Sequence, residues 1–268
     1  MFKDKVALIS GGSRGVGFAL AAKLVDQGAR VVITARGEDR LKSSRAKLQD
    51  RGGEVEAVAG DIGNWKDAER MVKKAVDCFG RLDILVNNAG VSMRGDFAEL
   101  SGDVCSRVIA TNLTGAVNLT RIAMDPIMEA KGQIIFISSI AGLFGLPGAS
   151  VYCASKMALT GLCESLRLEL IPKGVHVGIV YLGFTEHDPE KRILAADGEP
   201  VLPDRPAHHT QAQAADRIIR MLRKRKKQLI MTPIGNFGWL AYRLSPRLVE
   251  RAVLWAQASK LGLYKRFS

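Results

Sequence analysis

The chain is expected to fold as one doubly wound α/β domain, a parallel sheet with helices on both faces, followed by a basic amphipathic C-terminal appendage. Three observations carry that expectation. Apolar runs of strand length alternate with helix-length segments, the pattern of successive right-handed βαβ units. The strand-like runs are apolar throughout, as a sheet buried on both faces requires. Charge is uneven: residues 1–216 hold 26 Lys+Arg against 26 Asp+Glu, and residues 217–268 hold 13 Lys+Arg against Glu250 alone, so the entire net charge of +12 lies in the last fifth of the chain.

The elements follow in order. KVALIS (5–10) reads as a buried strand, 15–27 as a helix ending before Gly28, and RVVITA (30–35) as a second strand. A polar helix over about 39–51 leads to Gly52-Gly53, strand EVEAVAG (54–60), a helix near 65–79 and strand LDILVNN (82–88). One long helical stretch is expected over 103–130, with Pro126 bending or interrupting it. Strand GQIIFISS (132–139), a helix over about 151–171 stopped near Pro172, and strand HVGIVYL (176–182) come next. Residues 186–209 hold four of the nine prolines and many charges, and read as a long substrate loop or lid. A helix near 211–225 and strand QLIMTP (228–233) close a body of residues 1–233. In the tail, 234–268, Ser245 is a candidate N-cap with Pro246 at the first helical position, and Leu248, Val249, Ala252 and Trp255 recur at helical spacing.

Composition narrows the function classes. Of 268 residues, 47% are apolar and 25% charged, as in ordinary globular domains. No run of 18 apolar residues suggests a spanning helix, and the N-terminus lacks the pattern of a signal peptide, so a cytoplasmic location is expected. Cys78, Cys105, Cys153 and Cys163 form no C-x-x-C pair and are expected to be reduced, buried or half-buried thiols. His208 and His209 are adjacent without a third ligand, so no metal site is expected.

Between the first strand and helix lies SGGSRGVGFAL, with Gly11, Gly15 and Gly17 where backbone amides must approach a pyrophosphate at a helix N-terminus; Ser13, Arg14 and Val16 belong to the same turn. A merely tight strand–helix turn is the alternative. NAD-selective sites carry an acidic residue at the end of the second strand. Here Ala35 and Arg36 stand there, no carboxylate repels a 2′-phosphate, and Arg14 adds a second cation, so NADP(H) is the expected cofactor. Further on, SVYCASKMAL (150–159) places Tyr152 and Lys156 one helical turn apart, on one face. A solvated helix face would do the same; the sharper reading is a phenol tuned by an ammonium. Free tyrosine titrates near pH 10, and a neighbouring cation favours its phenolate.

These motifs, taken in order, resemble the short-chain dehydrogenase/reductase family over about residues 5–185, and with it a Rossmann-type sheet. SGGSRGVG (10–17) is similar to the family's glycine motif, with Ser10 where threonine is commoner. NNAG (87–90) matches a family tetrapeptide, and YCASK (152–156) is its Y-x-x-x-K. The resemblance implies a catalytic set of Asn112, Ser139, Tyr152 and Lys156: Tyr152 as proton donor or acceptor, Ser139 donating to the substrate oxygen, Lys156 also holding ribose hydroxyls, and Asn112 holding a relay water. It implies Asp61 beside the adenine, with Ile62, Asn88, Ala89, Gly90, Gly183 and Thr185 lining the cofactor. Ser138 is expected to be structural. One departure is Leu182, where the family usually has proline; Gly183 and Thr185 remain.

The expected function is NADP(H)-dependent interconversion of a carbonyl and an alcohol, with reduction the expected direction and an apolar, lipid-like substrate suggested by AGLFGLPGAS (141–150) and by the tail. An NAD-dependent alcohol dehydrogenase and a cofactor-sensing binding protein on the same fold are the alternatives. The family also implies a homodimer or homotetramer built through the helices over 103–130 and 151–171. The tail, with seven cations in RIIRMLRKRKK (217–227) and aromatics at Trp239, Tyr242, Trp255, Tyr264 and Phe267, suits either an anionic membrane surface or a docking arm on the body or a partner subunit. No nucleic-acid motif is present, so nucleic acid is not an expected partner.

Overall fold

The computed structural model describes residues 2–186, 188, 190–203 and 209–258. Seven parallel strands form one sheet: β1 (Val6–Ser10), β2 (Arg30–Ala35), β3 (Val55–Ala59), β4 (Ile84–Asn87), β5 (Gln133–Ser139), β6 (His176–Leu182) and, after a two-stranded hairpin of β7 (Ile193–Leu194) and β8 (Pro200–Val201), β9 (Gln228–Ile230). Their spatial order is β3-β2-β1-β4-β5-β6-β9. The chain therefore winds one way from β1 to β3 and the other way from β4 to β9, and the sheet is doubly wound. Leu182 keeps to the strand, opposite Ser139 in the β5–β6 register, so replacing the family's usual proline leaves β6 extended to the rim of the site.

Helices α1 (Gly15–Val25), α2 (Glu38–Gln49) and α8 (Gln211–Arg223) cover one face. Their Leu20, Leu24, Leu41, Leu48, Ile218 and Leu222 pack with the strand residues Ala7, Ile9, Val31 and Ile33. On the other face α3 (Trp65–Phe79), α5 (Gly115–Ile122) and α7 (Ser150–Leu170) bury Met71, Leu119, Leu159 and Cys163 against Leu8, Leu85, Ile134 and Phe136. Both sides of each central strand are thus in a core, which is why these strands read as unbroken apolar runs.

The helical stretch over 103–130 is interrupted, and at more places than Pro126 alone marks. It comprises α4 (Gly102–Ile109), a π-helical turn (Ala110–Thr114), α5, and α6 (Met124–Glu129), with Pro126 inside the last piece. A proline lacks the N–H needed deeper in a helix and is tolerated in the first turn. The break therefore falls ahead of it, at Ala123. The loop over 186–209 carries the β7–β8 hairpin; His208 lies outside the described residues, and His209 shares a hydrogen bond with the Met231 carbonyl at 3.1 Å. All four cysteines are free, Cys153 and Cys163 buried and Cys105 half-buried; Cys78 is exposed, contrary to expectation, because it lies on the outer face of α3.

The tail begins with a helix that the sequence did not signal, α9 (Pro233–Leu244), before α10 (Pro246–Ala258) starts at the expected proline. Thr232 caps α9 by accepting from the Gly235 amide at 3.0 Å. Tyr264 and Phe267 lie outside the described residues. Among the described residues no helix is long and apolar enough to cross a membrane.

Candidate active site

Where the winding direction reverses, between β1 and β4, the carboxyl ends of the strands leave a crevice, the usual ligand position in an open α/β sheet. A cleft of about 550 Å³ opens there. Gly11, Ser13, Arg14, Gly15, Val16 and Gly17 line it from the first turn, Arg36 from the end of β2, and Asp61 with Ile62 from the end of β3. Asn88, Ala89 and Gly90 line it from β4, and Ser139, Tyr152, Lys156, Gly183 and Thr185 from the opposite end. Of the residues singled out in the sequence, only Asn112 stands behind the wall.

The glycine turn is shaped for close backbone approach. Gly11 has φ +67°, and a Cβ on Gly17 would run into the Gly11 carbonyl and the Asn88 amide, so this helix start tolerates no side chain. Asn88 donates through Nδ2 to the carbonyls of Ser10 at 2.9 Å and Gly11 at 3.2 Å. Ser10 does more than its motif position suggested: its hydroxyl accepts from the amides of Asn88 and Ala89, both at 3.0 Å, and donates to Val86 at 3.3 Å. It rivets the turn after β1 to the turn after β4. Asp61 Oδ1 accepts from the Gly63 amide at 2.8 Å, which fixes that carboxylate at the cleft's far end.

At the other end α7 presents Tyr152 and Lys156. The Lys156 ammonium is buried, donates to the Ile137 carbonyl at 3.0 Å, and lies 6.0 Å from the Tyr152 ring centroid. Burial, with a smaller push from Lys191, lowers its pKa to about 8. Ser138 is buried and donates to the Lys156 carbonyl at 3.0 Å, as a structural hydroxyl should; Ser139 lines the cleft and accepts from the Ala141 amide at 3.3 Å. Asn112, in the π-helical turn, accepts from the Val91 amide at 2.8 Å and donates to the Val91 carbonyl at 2.9 Å and Ser155 Oγ at 3.0 Å. A Cβ on Gly90 would sit 3.1 Å from Asn112 Oδ1 and 3.3 Å from Lys156 Nζ. Asn112 and Lys156 therefore converge on Gly90 from behind.

The cationic end contains a residue that the sequence reading missed. Arg40 joins Arg14 and Arg36 at the cleft from the first turn of α2, beyond the end of β2. The loop after β6 lays acids on this cluster. Arg14 donates to the Glu190 carbonyl at 3.2 Å and its Nε lies 3.9 Å from Asp188; Arg40 pairs with Asp188 at 3.6 Å and with the Glu190 carboxylate. Burial lowers the Arg14 pKa, Asp188 opposes the shift, and Arg40, Arg36 and Arg192 lower it further.

The comparisons agree with this architecture. A family model described as short chain dehydrogenase matches residues 5–197. An oxidoreductase of Thermotoga maritima is 38% identical over 188 residues, 70% of this chain and 74% of that protein. A 3-oxoacyl-[acyl-carrier-protein] reductase of Synechocystis is 34% identical over 221 residues, 81% of this chain and 88% of that one. A Burkholderia phymatum short chain dehydrogenase/reductase, solved in complex with NAD, superposes with a TM-score of 0.83 at 23% identity over 92% of this chain and 95% of its own, a likeness of fold. With the glycine turn, the Tyr152–Lys156 pair and the doubly wound sheet in place, the chain belongs to the short-chain dehydrogenase/reductase family and is an oxidoreductase.

Proposed function

We propose that the protein interconverts a carbonyl and an alcohol with NADP(H), reduction being the working direction, on an apolar substrate, with Tyr152 exchanging the proton. The observation that carries this reading is the pairing of a buried Lys156 ammonium with the Tyr152 ring at the cleft end where Ser139 opens.

The cleft fits a nicotinamide dinucleotide: the side-chain-free backbone at Gly11 and Gly17 suits a pyrophosphate, and Asp61 and Ile62 flank a place for an adenine. Arg14, Arg36 and Arg40 would hold a 2′-phosphate, and Gly183 and Thr185 lie where the nicotinamide end would be held. Bound there, the cofactor supplies or accepts the hydride. The protein's residues manage the proton and the developing charge. Ser139 donates to the substrate oxygen, and Tyr152 protonates it as negative charge builds. Lys156 favours the phenolate left behind, and its own hydrogen bond to the Ile137 carbonyl holds the ammonium in place. Asn112 holds Val91 and Ser155, and so braces the β4 turn against α7.

The apolar substrate is supported by Leu194, which lines the cleft near Tyr152, and by the AGLFGLPGAS segment beside Ser139. The same reading includes a homo-oligomer and a peripheral position on a membrane through the tail. Tyr152→Phe tests its core. Turnover of a carbonyl panel should fall about a hundredfold or more, the scale of a lost general acid, while NADPH binding by calorimetry stays within a few-fold. A variant that keeps substantial turnover would dismiss Tyr152 as the proton donor.

A further inference from the structure

The tail was open to two readings, and its two helices divide them. Helix α9 docks on the body. Trp239 packs against the core, and the Tyr242 and Phe144 ring centroids are 6.0 Å apart. Gly235 sits so close to Ile140 that a Cβ would come within 3.1 Å of Ile140 Cγ2. Ile140 follows Ser139, so α9 lies directly behind the substrate end of the cleft. Helix α10 packs on α9, and Val249, Val253 and Ala256, spaced four and three residues apart, form its half-buried stripe.

Leu248 and Trp255, seven residues apart, face outward on a neighbouring stripe of α10, and Leu254 is exposed on a further side. Leu248 is 63% exposed, Leu254 63% and Trp255 65%, and on α9 Phe237 is 73% and Leu244 77% exposed. Arg243, Arg247 and Arg251 stand among them, exposed, with Glu250 as the sole acid between 234 and 258. An apolar ridge of this kind is costly to leave in water. Its charge selects the occupant. A second copy meeting the first through this face would bring like-charged arginines together. A nucleic-acid backbone would satisfy the arginines but not the leucines. An anionic bilayer satisfies both, with acyl chains for the ridge and headgroups for the guanidinium groups.

We propose that the outer face of the α9–α10 hairpin is a docking surface for an anionic phospholipid bilayer, and that it sets the substrate end of the cleft beside the membrane so that bilayer-dissolved carbonyl compounds reach Ser139 and Tyr152. The delivery half rests on the proposed carbonyl reduction; the docking half does not.

The test uses the full chain and vesicles of phosphatidylcholine alone or mixed with phosphatidylglycerol. Wild type should float with the anionic vesicles at low salt and largely release at high salt, because surface attraction is screened. Leu248→Glu combined with Leu254→Glu, and separately Arg247→Glu and Arg251→Glu combined, should each lower partitioning at least tenfold. Both should keep the thermal unfolding midpoint and the rate on a water-soluble carbonyl. With vesicles present, wild type should outpace both variants on a long-chain ketone only. Flotation that ignores phosphatidylglycerol, or leucine variants that halve the molecular mass in solution without changing flotation, would overturn docking. Equal long-chain rates in wild type and variants would overturn delivery. If no carbonyl is reduced with either cofactor while anionic flotation and its loss in the variants hold, docking stands and the reading of the reaction fails.

Discussion

Lys156 shows how much one buried residue can hold. Its ordinary pKa of 10.5 applies to the unfolded chain, and burial brings the folded value to about 8. Below about pH 8 both states carry the proton, and burying the charge costs the fold a constant amount. Between 8 and 10.5 the unfolded chain keeps a proton that the folded protein has lost, so stability rises with pH, by up to about 1.4 kcal/mol per unit. In Lys156→Met that contribution is gone. The stability difference between the two proteins should therefore shift toward wild type by roughly 3 kcal/mol across this window, as read from urea unfolding of the cofactor-free proteins. A flat difference would mean that water reaches the ammonium. The guanidinium groups make the second residue-scale prediction. Wild type should bind NADPH more tightly than NADH, and Arg36→Asp should remove about ten- to a hundredfold of that preference, the worth of a charged bidentate hydrogen bond. Arg40→Ala should remove a share as well. Equal wild-type affinities by calorimetry would discard the 2′-phosphate reading.

At the scale of elements, the loop between β6 and β7 competes for the same cations. Asp188 and Glu190 occupy Arg14 and Arg40, the residues proposed for the 2′-phosphate. A cofactor carrying that phosphate has to displace them. Partly exposed ion pairs are worth about 0–1 kcal/mol each. Asp188→Asn with Glu190→Gln should accordingly raise NADPH affinity a few-fold and leave NADH affinity unchanged. A similar gain for both cofactors would show that the loop obstructs the cleft as a whole. The broken helix belongs to this scale too. Pro126 marks an interruption in the helical stretch over 103–130, yet the chain also inserts a π-helical turn where Asn112 reaches Val91 and Ser155. Apolar spacing reports which face is buried, and it is insensitive to one extra residue in a turn.

Over the whole molecule, exposed apolar side chains are scattered, Phe97 and Leu202 among them, and several gather on the α9–α10 ridge and on the outer face of α7. On α7 Leu159 and Leu170 are buried in the body and Met157 is exposed. Leu168, which the sequence reading passed over, is 75% exposed, and Met157 and Leu168 lie three turns apart on one face. Val117 of α5 is exposed as well. A subunit interface over this face is expected. Light scattering should give at least a dimer at micromolar concentration, and Leu168→Glu should halve the mass while secondary structure by circular dichroism is kept. A monomeric wild type would refute it.

The sheet, its double winding and many of the residues that line the cleft were legible along the chain. Unbroken apolar strands can only be covered on both faces, and the glycine turn and the tyrosine–lysine pair are local patterns that one stretch of chain contains whole. The split charge was legible for the same reason, as a sum along the chain. The rest depends on residues distant in sequence. Arg40 became a site residue once α2 turned it toward Arg14. Ser10 became a rivet because β1 and β4 are neighbours across a crossover. Asp188 and Glu190 met their cations only because the loop folds back over the first turn. Helix α9 hides Trp239 and Tyr242 while α10 leaves Leu248 and Trp255 outside, because burial is a property of what lies opposite a face, and periodicity along one segment carries no information about its neighbour.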